Sequence, residues 1–267
     1  MIELSIPPTQ LRELLEKVYL KYNKREYIHP DPLEFLWRYN SIEDREIVGL
    51  LASGLAYGRV ARILKSTEKV LDVLGPDPSG FLRKISSHEL SRALVGFKHR
   101  FTTASEIVSL SKSASTLQEE WGLLGNMLEA FLSEDTYYNA LERFVVSILK
   151  RAGIEKCSLL PRPSLGSACK RLHLFMRWMI RSDEVDPGGW ETISPSVLVV
   201  PLDVHMFRAA RILGFTGRKT AGGAAAFEIT DRFRVINPGD PVKYDFALTR
   251  MGIQGLHHDN LFRKLFK

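Results

Sequence analysis

Apolar residues recur three and four positions apart along most of the chain, a spacing that places them on one face of an α-helix. Ile47, Leu50 and Leu51 share one such face in the stretch that begins at residue 44. Runs of β-branched residues are rare, and the most convincing one, at 197–200, is too short to form a sheet alone. The pattern therefore predicts an all-α fold.

Prolines and glycines separate the apolar-periodic stretches and mark where predicted helices begin or end. The segment 29–32 is expected to be a rigid turn, and Gly75 with Pro76 is expected to close the helix before them. The serine-rich segment 111–115 is the most loop-like part of the chain. The predicted helices cover residues 9–22, 33–39, 44–55, 60–74, 116–150, 167–181 and 204–213, with shorter pieces between 79 and 112.

The length of 267 residues is near the upper end of what one hydrophobic core supports, so one bilobal domain and two small domains are both compatible with it. The 45% hydrophobic content is ordinary for a globular protein. Lysine and arginine together number 37 against 31 acidic residues, which gives a net charge of +6. This moderate excess permits a polyanionic partner without requiring one.

Two cysteines, Cys157 and Cys169, are too few for a disulfide framework, a cysteine-ligated iron–sulfur cluster or a four-cysteine zinc site. We therefore expect reduced thiols and a cytoplasmic location. The sequence has neither a signal-peptide pattern nor an apolar run long enough to span a bilayer, so no membrane association is expected. Residues 257–259, His-His-Asp, are interpreted as solvated side chains, and the sequence predicts no metal and no cofactor.

The helix predicted from residue 167 follows a proline-containing turn that ends at Gly166, and Ser167 is placed to cap it. Free backbone N–H groups at such a helix start bind phosphate well. Basic side chains on one side of the helix would extend this attraction. They are Lys170, His173, Arg177 and Arg181, with Arg171 beside them. The alternative interpretation is an ordinary solvated basic face on a surface helix.

Asp203 immediately precedes a helical pattern over residues 204–213, and Gly214 stands where a helix-ending glycine is usual. Asp203 is therefore predicted to be an N-cap, a role that would by itself explain an acid here. A fixed negative charge at this place could also stabilise a cationic sugar transition state. His205 and Arg208, within the first turns of the helix, could contact a phosphate or could simply lie at the surface.

The segment 200–208, Val-Pro-Leu-Asp-Val-His-Met-Phe-Arg, closely resembles the catalytic-aspartate segment of helix–hairpin–helix DNA glycosylases. The likeness is strongest to the 8-oxoguanine and endonuclease III branches. Residues 44–74 resemble the paired N-terminal helices of that superfamily, and residues 237–248 resemble its closing helix. The strings 29–36 and 166–172 resemble those of an uncharacterised bacterial protein family, which implies no activity.

The resemblance implies a single bilobal helical domain over residues 1–267, with a cleft between the lobes. The N-terminal and C-terminal segments would share one lobe, and residues of about 60–200 would form the other. In members with lyase activity a lysine after the hairpin attacks the sugar, and the position that matches is Lys170, 33 residues before Asp203. Lys219 lies in a hairpin-like string after Asp203, which is the wrong order along the chain, and it ranks well below Lys170.

A glycosylase that acts on duplex DNA must rotate its target nucleotide out of the base stack. Tyr57 and Arg59, at the break between the two predicted N-terminal helices, stand where the superfamily has a side chain that fills the gap. Trp178 and Phe207 could stack on the extruded base. A plain helix–helix turn and ordinary core aromatics are the alternative interpretations of these residues.

We therefore expect a DNA base-excision repair N-glycosylase with abasic-site lyase activity, using Lys170 and Asp203. Its partner would be double-stranded DNA that carries a damaged base such as an oxidised purine, bound by a monomer without a cofactor. The alternative is a protein of the same fold that binds DNA or RNA without cleaving it. A helical interaction module with no nucleic-acid role is the third possibility.

Overall fold

The computed structural model describes residues 7–253, and helices make up most of this part of the chain. The α-helices are α1 (Pro8–Tyr22), α2 (Ile42–Gly54), α3 (Val60–Leu74), α4 (Pro78–Lys84), α5 (Ser87–Ala93), α6 (Ala104–Trp121), α7 (Leu124–Glu134), α8 (Tyr137–Arg151), α9 (Lys170–Ile180), α10 (Val204–Ile212), α11 (Gly223–Ile236) and α12 (Asp245–Ile253). Short 3₁₀ helices cover Arg25–Tyr27, Pro32–Arg38, Pro163–Leu165 and Pro195–Val197. Two antiparallel strands, β1 (Lys98–His99) and β2 (Thr102–Thr103), form a small sheet. The predicted all-α class is confirmed.

The continuous helix predicted over residues 116–150 is wrong, because this segment contains the end of α6, all of α7 and most of α8. Gly122 follows α6 with a φ of +78°, a left-handed conformation that ends the helix at little cost only for glycine. Asp135 and Thr136 are extended and separate α7 from α8. Apolar periodicity alone therefore did not reveal the two interruptions.

The serine-rich segment 111–115, predicted as a loop, lies inside α6. Its small side chains face the interior, where Ser111, Ser113 and Ser115 are buried. Ser113 Oγ donates a hydrogen bond to the carbonyl oxygen of Ile148 in α8, at 2.6 Å. Small residues here allow α6 and α8 to pack closely, which a prediction from loop-like composition could not foresee.

The two ends of the described chain lie together, because α1 packs against α11 and α12. α2 packs against α6 and α9, and α6 in turn packs against α7 and α8. Buried apolar side chains from these helices form one hydrophobic cluster. The division into two lobes with a cleft between them stays a prediction. Within residues 7–253, no helix combines the length and the apolar composition that crossing a membrane requires.

A buried carboxylate joins α2 to the start of α7. Glu46 accepts hydrogen bonds from the backbone N–H groups of Leu124 and Gly125, each at 2.9 Å. The side chains of Gln118 and Trp190 donate two more. Burial raises the pKa of Glu46, and these four donors oppose the rise because they favour the charged form. A Cβ atom at Gly125 would lie 2.5 Å from the Trp190 ring, so the close approach requires glycine.

Two buried arginines, Arg177 and Arg181, anchor α9 to the interior. Their carboxylate partners come from the loop after α9 and from the segment that leads into α12. These partners are Asp183, Asp186, Asp240 and Asp245. Asp186 is fully buried and bridges both guanidinium groups. Burial lowers the pKa of Arg181, but the surrounding carboxylates more than reverse this, so the pKa lies well above its usual value.

Asp186→Ala is expected to lower the free energy of unfolding by about 3–5 kcal/mol, because it leaves two buried guanidinium groups without a shared counter-charge. Urea denaturation followed by circular dichroism measures the loss. Asp231→Ala is the matched control, since Asp231 pairs with Arg234 at the surface. A change below about 1 kcal/mol is expected there. Equal losses in the two variants would contradict an anchoring role for Asp186.

Candidate functional site

The backbone before α9 passes twice through the left-handed region. Gly166 has a φ of +73°, and Cys169, the N-cap residue of α9, has a φ of +45°. The prediction that Ser167 caps the helix is wrong. Its hydroxyl oxygen instead accepts a hydrogen bond from the N–H of Cys169 at 3.2 Å and closes the turn before the helix. The helix therefore begins at Lys170, while Gly166 and Ser167 remain exposed.

Asp203 is the N-cap of α10, as predicted. Its Oδ1 accepts hydrogen bonds from the N–H groups of His205 at 2.9 Å and Met206 at 2.8 Å. Gly214, with a φ of +73°, follows the C-cap residue Leu213. The cap occupies one carboxylate oxygen and leaves Oδ2 available to another partner.

The side chains of Lys170 and Asp203 meet at the starts of α9 and α10. Lys170 Nζ lies 3.4 Å from Asp203 Oδ2. The Lys170 side chain is 37% exposed and that of Asp203 is 18% exposed, so an incoming molecule can reach the amine. The contact that the predicted roles of both residues require is therefore present, despite their separation along the chain.

An open hollow of about 430 Å³ lies beside this pair. Its wall comes from the segment before α9, the connection between α2 and α3, and the start of α11. Lys170 lines it together with Tyr57, Gly166, Cys169, Arg171 and Gly222. A volume of this size is usual for sites that bind small organic groups.

A narrower cavity shares the wall formed by residues 167–169. At about 10 Å³ it has room for about one water molecule, and its lining includes Tyr137, His173 and Phe227. Burial lowers the pKa of His173 to about 4 and raises the pKa of Cys169 to about 11. Burial also raises the pKa of Tyr137. These three titratable side chains, which line the narrow cavity, are therefore uncharged at neutral pH.

The starts of α9 and α11 line the hollow, and the start of α10 lies beside it. The N-cap residues of α9 and α11, Cys169 and Gly222, line it, and the N-cap of α10, Asp203, contacts the lysine of the pair. A Cβ atom at Gly223 would lie 3.0 Å from the carbonyl oxygen of Ser167, so α11 begins directly against the turn before α9. The positive ends of the α9 and α11 dipoles favour a bound anion, whereas the Asp203 carboxylate already occupies the start of α10.

The basic stripe predicted along α9 is wrong. His173, Arg177 and Arg181 are 4%, 3% and 4% exposed, so none of them can meet a phosphate at the surface. The arginines are paired with buried carboxylates, and the His173 ring stacks on Tyr137 with 6.0 Å between ring centres. The alternative interpretation, a solvated basic face, is wrong for the same reason.

The predicted base-stacking residues do not line the hollow. Trp178 is fully buried within the hydrophobic cluster, because it lies on the interior side of α9. Phe207 is partly buried and packs against the same cluster. Neither ring belongs to the wall of the hollow or of the narrow cavity. The prediction that Trp178 stacks on a base is wrong, because the ring is fully buried, whereas that of Phe207 stays a prediction.

Tyr57 lines the hollow, but its hydroxyl is anchored by a hydrogen bond to the carbonyl oxygen of His99 at 2.8 Å. The Arg171 guanidinium lies 4.9 Å from the centre of the Tyr57 ring and donates to the carbonyl oxygen of Gly54 at 2.8 Å. Arg171 therefore supports the wall of the hollow from a half-buried position. Arg59 is exposed at the N-cap of α3.

On α10, Arg208 is exposed and His205 is half-buried. Their phosphate contacts stay predictions. Sequence reasoning missed Arg100 and Phe101, which connect β1 to β2 next to Tyr57. Strands of two residues are too short to show an alternating pattern, so the sequence carried little signal for this hairpin.

The described residues thus form a helical protein with a lysine–carboxylate pair beside an open hollow. The chain belongs to the family described as "Protein of unknown function (DUF2400)", whose model matches residues 31–254. No curated protein and no solved structure matches the chain. Membership of this family therefore brings no activity with it.

Within residues 7–253, no three or more histidine, cysteine, aspartate or glutamate side chains come together as a group that could hold a metal ion. Residues 257–259, which the sequence suggests are solvated, lie outside the described part of the chain.

His173→Gln is expected to make the protein less sensitive to acid. A histidine with a pKa of about 4 when folded and about 6.5 when unfolded takes up its proton mainly in the unfolded state between these values. The wild-type protein therefore loses about 3 kcal/mol of stability between pH 7 and pH 4 through this group, and the variant does not. Urea denaturation across this range measures the difference. His88→Gln, at the exposed start of α5, should keep the wild-type pH dependence.

Proposed function

We propose that the protein is a DNA base-excision repair N-glycosylase with abasic-site lyase activity, acting on an oxidised purine or a similarly damaged base. One observation carries the proposal: Lys170 Nζ lies 3.4 Å from Asp203 Oδ2, and Lys170 also lines an open hollow. The amine, the carboxylate and the space for a substrate are therefore next to one another.

The electrostatics of the site support a polyanionic substrate. The starts of α9 and α11 line the hollow, and Arg59 at the N-cap of α3 and Arg208 on α10 are exposed. The chain as a whole has a net charge of +6. Positive charge of this kind attracts the phosphate backbone without selecting a base sequence.

The size of the hollow supports a nucleotide that has left the helix stack. The anomeric carbon of a paired nucleotide is inaccessible within duplex DNA, so the nucleotide must rotate outward before a lysine can reach it. A hollow of about 430 Å³, with Tyr57 in its wall, offers room and an aromatic surface to such a nucleotide. The narrow cavity behind residues 167–169 is too small for a base.

The proposed reaction begins when the Lys170 ammonium group loses a proton to solvent, and the negative charge of Asp203 stabilises the positive charge that develops on the sugar. The neutral amine nitrogen bonds to C1′ of the deoxyribose while the bond from C1′ to the base breaks, and the base leaves with that electron pair and a proton. The sugar ring opens as O4′ gains a proton, which leaves an imine between Lys170 and C1′. Removal of a C2′ proton then expels the 3′ phosphate, and water releases the lysine.

The non-catalytic alternative, a DNA- or RNA-binding protein of the same fold, is supported by a specific feature of Asp203. Its Oδ1 caps α10, and its Oδ2 faces Lys170, so both oxygens have structural partners. In that case the pair stabilises two helix starts and the hollow binds phosphate without reaction.

A cytoplasmic location and a monomeric state belong to the proposal. Cys157 and Cys169 are both free and buried, which fits the reducing conditions of the cytoplasm.

Borohydride trapping tests the proposal. The protein is incubated with duplexes that carry 8-oxoguanine, uracil or an abasic site, and reduction converts the imine into a stable covalent adduct visible on a denaturing gel. The wild-type protein is expected to form the adduct, and Lys170→Ala is expected to abolish it. Asp203→Asn keeps an N-capping residue but removes the charge that stabilises the cationic sugar, so base release should fall about 10²–10³-fold while the fold persists.

Lys219→Ala is the matched control, since Lys219 is an exposed lysine near the start of α11. It should form the adduct as the wild-type protein does. No adduct and no base release across the lesions would leave the non-catalytic alternative. DNA affinity that is independent of salt concentration would contradict both, because phosphate contacts give a steep negative salt dependence.

A further inference from the structure

The hairpin between β1 and β2 presents an aromatic side chain to solvent. The strands pair Lys98 with Thr103 and His99 with Thr102, so the loop consists of Arg100 and Phe101 alone. Phe101 is 60% exposed, whereas most phenylalanines of the described chain are buried. A single exposed apolar side chain is common on protein surfaces, so the meaning of this one depends on the residues around it.

The Phe101 ring is held in place from below. It stacks on Tyr57, with ring centres 5.0 Å apart and an interplanar angle of 22°. Tyr57 is itself fixed, because its hydroxyl lies 2.8 Å from the carbonyl oxygen of His99 and 2.7 Å from the hydroxyl of Thr102. The exposed Phe101 ring therefore stacks on a tyrosine side chain whose position is fixed by two hydrogen bonds.

Arg100 adds positive charge at the same tip. Its φ of +55° places it in the left-handed region at the first position of a two-residue hairpin loop, where glycine is usual. Its guanidinium lies 5.8 Å from the centre of the Tyr57 ring and 6.0 Å from that of Phe101. A non-glycine residue in this conformation costs folding free energy, and such residues cluster at functional sites, which points to a functional role for the Arg100 side chain.

The surroundings of the tip are basic. Burial lowers the pKa of His99, and the positive charges of Arg62, Arg100 and Arg171 lower it further, so these three arginines lie close to one point. Arg62, Lys98 and Arg100 are exposed. The tip is also next to the hollow, since Tyr57 lines it together with Lys170.

We propose that Phe101 inserts between the base pairs of duplex DNA, in the gap that an extruded nucleotide leaves, while Arg100 binds the adjacent phosphate. This inference rests on the proposed function for its substrate, a duplex from which one nucleotide is rotated out. An apolar side chain that enters such a gap replaces part of the stacking that the extruded base has lost. Phe101 has the exposed face for this role, whereas Tyr57 is the fixed support beneath it.

The test measures binding of the full-length protein to two duplexes of the same sequence. One duplex carries a tetrahydrofuran abasic-site analogue opposite 2-aminopurine, and the other is intact. The first is called the gapped duplex below, because it lacks one base within a continuous strand. Fluorescence anisotropy gives the affinity, and 2-aminopurine emission reports the stacking at the gap. Phe101→Ala is expected to weaken binding to the gapped duplex about tenfold and to leave binding to the intact duplex nearly unchanged.

Three variants complete the design. Phe101→Trp keeps an aromatic ring and should retain the preference for the gapped duplex. Val95→Ala changes a still more exposed apolar residue just before the hairpin, and this variant should bind both duplexes as the wild-type protein does. Arg100→Gly suits the left-handed turn and removes the charge, so it should weaken binding to both duplexes and reduce the salt slope by about 1.

Loss of affinity that is equal for both duplexes, or no loss at all, in Phe101→Ala would overturn the insertion. Tighter binding to single-stranded RNA than to the gapped duplex would overturn it as well. Lys170→Ala separates this inference from the proposed chemistry, because it should lose adduct formation but keep the preference for the gapped duplex. If wild-type protein forms no adduct but Phe101 still confers the preference, the chemistry fails and the insertion stands.

Discussion

The position of α9 depends on charges that are buried beneath it. Arg177 and Arg181 enter the interior, where Asp186 bridges them and three further carboxylates complete the compensation. Charges without partners would be costly at such depth, so a rotation or shift of α9 that separated these ion pairs would be strongly unfavourable. The orientation of α9 sets the direction in which Lys170, its first residue, leaves the helix. The geometry of the candidate site thus depends on an ion network whose residues do not line the hollow.

Local signals in the sequence predicted local structure well. Asp203 caps α10 and Gly214 follows its end, because both roles depend on neighbours within a few residues. The same local reasoning failed at Ser167, since Cys169 adopts a left-handed conformation and becomes the N-cap instead. The proximity of Lys170 and Asp203 was expected from the resemblance of one short segment, and helical periodicity alone could not have indicated it.

Long-range contacts account for the larger errors. Helical spacing correctly placed His173, Arg177 and Arg181 on one side of α9, but it could not tell that Tyr137 would cover His173 and that carboxylates from residues 183–245 would cover the two arginines. The hairpin that carries Phe101 was invisible because it has two residues in each strand. Its importance depends on Tyr57, which lies 44 positions earlier in the chain.

The two thiols of the chain have a chemical consequence for a protein proposed to act on oxidised bases. Cys157 and Cys169 are both buried, and burial raises the pKa of each, that of Cys169 to about 11. Since peroxides attack the thiolate form, these sulfur atoms are poor targets for them. Cys169 lies in the turn that precedes Lys170, and a sulfenic acid there would disturb that turn. The site can therefore persist under the same oxidative stress that generates damaged purines.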